Sequence, residues 1–495
     1  MSKIKTLASG VGWGTISTVA VTGFQLVFMA VMARLLDPTD FGLVAIANVS
    51  LRFFSYFAQM GTAPALIQKP KLEDGDIAAA LTVSLGISCL FAVMALLTAP
   101  LFELFFAMNG LAEVIKVLAI NFIIGGFAVV SNGLLRRKSA FRALAIIEIV
   151  SYVVGYGLVG LTAAQQGYEV WALVAAFMTQ NFLNAFFSYL VVRHSVRLKH
   201  SPSQRRHFFS YGGRYSVIGF LEFLTSNLDA MVIGKLFGVG PSGLYNRALL
   251  LANLPVQHPA NILTKALFPV MSSVGDQHDK QVMGLQLSIL LVGSYAFAVS
   301  MGVYVVAEDV ILTLLGNKWL DAVPILKVLA WAVGPQFISH VAGVTLDSLN
   351  QLSAKLKIQF CMLILLLALM SQALNSGQVT DIAAAVVVME WVRVSAIMVK
   401  LIRFLRISMK DMLMIALCMA LITASSSGMI YLTSRLLTEF APVSLVLRLM
   451  AEIAAGGVGL MLGFFVSRYL AIKLTAIRFL IEQGPIFGKI FPKLV

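Results

Sequence analysis

Arg52, Glu222, Asp229, Arg247 and Glu390 are ionisable residues placed inside long apolar runs of this sequence. An ionisable side chain in a bilayer is expensive, and it usually faces a bundle interior or a water-filled cavity. Arg52 and Arg247 have no opposite charge within one helical turn. A guanidinium stays charged, and its planar fork matches phosphate oxygens. Two such arginines suit an anionic, phosphate-bearing ligand, with Gln25 and Asn48 as uncharged polar company. Glu222, Ser226 and Asp229 are spaced four and three apart and share one helix face. Environment tunes how readily a carboxylate exchanges a proton or cation. Asp229 and Glu222 are therefore candidate coupling groups, with Glu390 a third if its helix packs near theirs.

Simpler roles compete at each position. Glu390 and Arg393, one turn apart, can neutralise each other. Glu222 or Asp229 can merely balance Arg52 and Arg247. Glu148 and Glu452 lie near helix ends, where a carboxylate snorkels or pairs. His258 and His340 read as core histidines rather than proton carriers.

The elements that must carry these residues are membrane helices. A span needs about 20 mostly apolar residues. Such runs occur at 11–36, 41–60, 77–99, 114–135, 143–163, 170–192, 212–237, 243–271, 283–307, 322–346, 356–374, 380–401, 413–433 and 443–466. The expected fold is all-α and polytopic, with about 14 spans. The eighth run holds Pro255, Pro259 and Pro269, which membrane helices tolerate when neighbours satisfy the freed carbonyls. Composition agrees: 59% of residues are hydrophobic and 12% charged, against roughly 25% charged in soluble domains.

Basic residues mark every second connection. Arg136, Arg137, Lys138 and Arg142 form one cluster, and Arg193, Arg197, Lys199, Arg205 and Arg206 another. Lys355 with Lys357, and Lys400 with Arg403, Arg406 and Lys410, are later ones. The alternate connections hold few, such as Arg34, Lys235, Lys318 and Arg435. The positive-inside rule then puts both termini in the cytoplasm, which requires an even number of spans. The net charge of +14 comes from these loops and does not call for nucleic acid. A basic tail, 469–495, reads as an amphipathic segment on the inner membrane surface.

The longest basic loop divides the first twelve spans into sixes. Arg34-Leu35, Gly42-Leu43, Ala47 and Ala65-Leu66 reappear in register as Lys235-Leu236, Gly243-Leu244, Ala248 and Ala266-Leu267. Two six-helix lobes of the same orientation follow, 1–200 and 201–409, with two added helices at 410–468. Internal repeats of this kind are the architecture of rocking transporters.

Other chemistry lacks its residues. There is no glycine-rich loop ending in GK[ST], nucleophile elbow or HExxH. Cys89, Cys361 and Cys418 lie in apolar runs without metal-ligand spacing. No cofactor is expected, and a membrane polymerase or ligase would need a catalytic outer loop that the short connections do not offer.

The stretch Ala33-Arg34-Leu35-Leu36-Asp37-Pro38-Thr39-Asp40-Phe41-Gly42-Leu43-Val44-Ala45 resembles the first outer turn of the polysaccharide flippases of the multidrug/oligosaccharidyl-lipid/polysaccharide exporter superfamily. Gly61–Gln68, Asn227-Leu228-Asp229 with Val232-Ile233-Gly234, and Gly243-Leu244-Tyr245-Asn246-Arg247-Ala248 are similar to later segments of that family. The flavour is that of exopolysaccharide and colanic-acid-type exporters. The resemblance implies a flippase in the bacterial inner membrane. Its substrate would be an undecaprenyl-diphosphate-linked oligosaccharide, moved by alternating access for exopolysaccharide or lipopolysaccharide synthesis. It implies a cavity lined by helices 1, 2, 7 and 8, and the isolated charges Arg52, Glu222, Asp229 and Arg247 fall on three of these. A proton or sodium gradient is the candidate energy source. Membrane lipids, a polysaccharide polymerase and glycosyltransferases are the implied partners. A lipid II flippase shares the anionic head group. A drug/cation antiporter of the same superfamily favours an acidic, aromatic cavity, which two arginines oppose.

Overall fold

A computed structural model describes residues 2–58, 72–197, 213–273, 278–349, 351–440 and 444–471. Every regular element among them is helical. The Gly61–Gln68 segment and nearly all of the basic tail lie outside the described residues, as do the side chains of His258 and Lys265.

The long helices are α1 (Ser2–Leu35), α2 (Pro38–Ala58), α3 (Asp74–Phe106), α4 (Leu111–Arg137), α5 (Phe141–Gln165), α6 (Val170–Val192), α7 (Gly213–Phe237) and α8 (Val239–Ser273). Then follow α9 (Gln281–Val305), α10 (Ala322–Ser348), α11 (Leu352–Ala373), α12 (Val379–Phe404), α13 (Met409–Phe440) and α14 (Leu445–Ala471). Among the described residues, eleven helices are long and apolar enough to cross a membrane. The expected total of about fourteen also counts α2, α7 and α8, which are 21, 25 and 35 residues long. Those three carry Arg52, Glu222, Asp229 and Arg247.

Local chemistry sets the helix starts. Asp37-Pro38-Thr39-Asp40 puts proline in the first turn of α2, where its missing N–H costs nothing. The Asp37 backbone N–H donates to Asp40 Oδ2 at 3.0 Å, which ties down an otherwise orphaned donor. Burial pushes the Asp40 carboxyl above the usual range, and Glu169 and Asp37 add to this against backbone donors from Asp37 and Val170. In α3 the Glu73 N–H donates to Asp76 in the same way. Glu103, near the end of α3, accepts the Ala112 N–H at 2.7 Å and so caps α4.

By packing, the chain forms two compact units. One comprises Met1–Asn246 with Leu314–Lys318, and the other Arg247–Thr313 with Trp319–Val495. In the first, the buried core runs through Ile46, Ala47, Leu51 and Phe54 of α2 to Leu111, Ile115 and Leu118 of α4. Phe54 meets Phe53, Phe102 and Phe122 edge-on, a favoured ring geometry. A wide-turn segment, Val153–Gly160, interrupts α5. A Cβ at Gly155 would fall 2.8 Å from the Ala176 carbonyl oxygen, so α5 lies tight on α6 there. Small residues permit such approach, which is how membrane helices associate without a hydrophobic drive.

In the second unit α10 is the most buried helix, and its neighbours bury Leu285, Ile338, Leu346, Val394 and Leu401. Pro259 removes the N–H that would bond the Pro255 carbonyl four residues earlier. Tyr295 of α9 fills that gap: its hydroxyl donates to Pro255 O at 3.0 Å. A neighbouring helix thus satisfies one of the carbonyls that the α8 prolines free. Helices α13 and α14 pair through Gly459 and Gly463, whose added Cβ atoms would sit 2.7 and 2.6 Å from α13 backbone atoms. Leu413, Leu432, Met450, Met461 and Phe465 are exposed on that pair, as expected against lipid.

Candidate functional site

Within the first unit, α2 packs along α7. Phe53 meets the buried Phe223 at 6.2 Å between ring centres. Gly234 of α7 lies over Ile46, where a Cβ would come within 2.5 Å of the isoleucine. This packing turns Ile46, Ala47 and Phe54 inward, while Asn48 is half-buried and Arg52 exposed. Asn48 and Arg52 are four residues apart, so they share a face of α2. Among the described residues none pairs with Arg52. Gln25 is half-buried on α1.

Glu222 is half-buried on α7 and Ser226, one turn on, is exposed. Asp229 is buried, at 5% exposure, and held in place. The Tyr245 hydroxyl of α8 donates to its Oδ2 at 2.5 Å, and the Ala230 N–H donates to its Oδ1 at 2.8 Å. Gly238 joins α7 to α8 with φ of +87°, a conformation glycine adopts without strain. The chain turns there, and the first residues of α8 bring Tyr245 to Asp229. Asn227 is spent locally, donating to the Phe223 carbonyl.

The starts of α2 and α8 cross in close contact. A Cβ on Gly42 would lie 1.9 Å from the Val239 carbonyl oxygen, and a Cβ on Gly243 would lie 1.9 Å from that of Pro38. The contact is reciprocal. Gly42 and Gly243 are equivalent positions of the internal repeat, and so are Pro38 and Val239. Beside it Lys318 donates to Asp37 at 2.7 Å, an exposed ion pair.

The second unit holds Arg247, half-buried at the base of its portion of α8, and Glu390. Glu390 pairs with Arg393 at 2.5 Å, one turn along α12. The local pairing read from the spacing is thus present. Glu452 and Asp309 both hold Arg448, at 3.3 and 3.0 Å. Glu148 accepts the Ser17 hydroxyl at 2.6 Å. Glu452 is thus paired with a charge and Glu148 with a hydroxyl, as their positions near helix ends suggest.

Sequence reasoning missed Tyr245 as the partner of Asp229. The signal was present, since the two lie at similar distances on either side of the Gly238 turn. It also missed a polar seam between α4 and α6. There Ser188 donates to Asn132, and Asn132 to Asn184. No His, Cys, Asp or Glu cluster among the described residues has the make-up of a metal site.

The profile of a family described as polysaccharide biosynthesis protein matches residues 31–324. The lipopolysaccharide biosynthesis protein WzxC of Escherichia coli is 24% identical, over 73% of this chain and 73% of its own length. The succinoglycan biosynthesis transport protein ExoT of Rhizobium meliloti is 25% identical, over 69% and 70%. The teichuronic acid biosynthesis protein TuaB of Bacillus subtilis is 25% identical, over 66% and 68%. Among solved structures, the lipid II flippase MurJ in an inward closed conformation superimposes with a TM-score of 0.69 at 13% identity, covering 92% of this chain and 99% of that one. The MATE multidrug transporter DinF-BH gives 0.53 at 16% identity, covering 81% and 95%. At those identities the likeness establishes the fold.

Proposed function

The chain belongs to the polysaccharide biosynthesis protein family, and from that premise we propose that it flips undecaprenyl-diphosphate-linked oligosaccharides across the bacterial cytoplasmic membrane. The names of its relatives, one of them a succinoglycan transport protein, support a transport role in polysaccharide synthesis over an enzymatic one. The observation that carries the substrate class is Arg52, an exposed cation near the middle of α2, with Ser50, Leu51 and Phe54 buried beside it. Arg52 and Arg247 are the diphosphate ligands of this reading, with Gln25 and Asn48 as further polar contacts. The head group crosses by alternating access, and both termini lie in the cytoplasm. A cytoplasmic glycosyltransferase supplies the substrate and an outer-face polymerase consumes it.

Deleting the gene tests this reading. Lipid-linked oligosaccharide should accumulate in the inner leaflet and clear on complementation. Drug sensitivity without accumulation would favour the antiporter.

A proton or sodium gradient drives transport in this proposal, through Asp229 and Glu222, with Glu390 a third group only if α12 packs near α7. Asp229→Asn retains an acceptor for the Tyr245 hydroxyl while removing the charge, so it separates coupling from folding. Together with Glu222→Gln it should abolish the dependence of flipping on pH or sodium. Normal flipping with that dependence intact would end the coupling role.

A further inference from the structure

A cavity of about 610 Å³ opens in the second unit, between the start of α11 and the end of α12. Lys357, Lys400 and Arg403 line it, with Gln351, Ser353 and Phe404. These cations come from two different connections, brought together by the pairing of α11 with α12. No acidic residue lines the cavity. The nearby Asp347 is occupied by Lys355 at 3.0 Å, so neither enters into the balance. Lys400 also lies over the Phe404 ring, at 6.0 Å.

At helical spacing, Phe360, Ile364 and Leu367 continue the Ser353–Lys357 face of α11, and Val392 continues the Ala396–Val399 face of α12. Phe360, Ile364 and Leu367 of α11 and Val392 and Val399 of α12 are exposed large hydrophobics. A free inorganic anion has no use for such a surface, whereas a lipid places its acyl chains there. On the orientation read from the loops, the cavity opens at the cytoplasmic leaflet, where anionic lipids meet basic pockets between helices.

We infer that this cavity binds the head group of an anionic phospholipid of the inner leaflet. Its phosphate lies among Lys357, Lys400 and Arg403, and its chains follow the α11–α12 seam. The site is separate from the diphosphate ligands proposed above.

Native mass spectrometry of the full-length protein in detergent tests this, with phosphatidylglycerol and phosphatidylethanolamine of matched chains as probes. Two charge-matched double variants are compared, Lys400→Gln with Arg403→Gln and Arg406→Gln with Lys410→Gln. Arg406 and Lys410 belong to the same connection and are exposed outside the cavity. Phosphatidylglycerol retention should fall at least ten-fold in the first and less than two-fold in the second, with phosphatidylethanolamine binding weakly throughout. Equal losses in both variants would show general surface charge and overturn the site. So would equal binding of the two phospholipids. A third probe, undecaprenyl diphosphate, reports on the source: retention of it alone would assign the cavity to substrate and contradict the inference. If the first variant does not fold, a photo-crosslinking phosphatidylglycerol on the wild type should label residues 351–360 and 396–404, and labelling elsewhere overturns the site.

Discussion

Gly42→Leu is expected to abolish export while the protein remains in the membrane. A C···O contact relaxes at about 3.3–3.6 Å, and the new Cβ would begin at 1.9 Å from the Val239 carbonyl oxygen. Backbone cannot swing aside as a flexible side chain can. The starts of α2 and α8 must therefore separate by more than about 1 Å, and the closed crossing seen here is lost. Gly243→Leu meets Pro38 in the same way and should give the same phenotype, because the contact is reciprocal.

The crossing can be read directly. A Cβ at Gly240 would lie 3.8 Å from the Thr39 methyl, so Thr39→Cys with Gly240→Cys should form a disulfide once Cys89, Cys361 and Cys418 are replaced by serine. Oxidation should stop transport and reductant restore it, if transport requires this contact to open. Gly42→Leu should abolish the cross-link. Wild-type export by the glycine variants, or full transport by the oxidised pair, would show that the crossing plays no part in the cycle.

Arg52→Ala should lower transport at least ten-fold at equal membrane level, and Arg52→Lys should restore only part of it. A lysine keeps the charge but offers a point donor in place of a planar fork. Charge-assisted bonds to an anion contribute roughly 1.5–3 kcal/mol each, which corresponds to about 10- to 150-fold in affinity. Because Arg52 is exposed and makes no pair among the described residues, its loss should leave the fold intact. Arg247→Ala should act in the same direction. An Arg52→Ala protein that complements a deletion fully would remove the arginine from the substrate site.

The membrane architecture is legible in the sequence because apolar run length and loop charge are set by the bilayer, a solvent common to all such chains. The Glu390–Arg393 pair is equally legible, since one helical turn fixes it. What escapes is whatever depends on how two helices lie against each other. The repeat places Gly42 and Gly243 at equivalent positions, yet nothing in their spacing says that each abuts the other's helix start. Asp229 stands out as a buried charge, but its Tyr245 partner emerges only once the chain has turned at Gly238. The cations at 357, 400 and 403 read as ordinary loop charge until α11 and α12 converge.

The central claim is that this chain moves a polyprenyl-diphosphate head group across a bilayer. The direct measurement reconstitutes the purified protein in liposomes with a fluorescent undecaprenyl-diphosphate oligosaccharide and follows quenching by a membrane-impermeant reductant. Wild type should bring inner-leaflet lipid to the quencher at a rate well above protein-free liposomes, and Arg52→Ala should not. Wild-type liposomes indistinguishable from protein-free ones, across imposed proton and sodium gradients of either sign, would contradict the account.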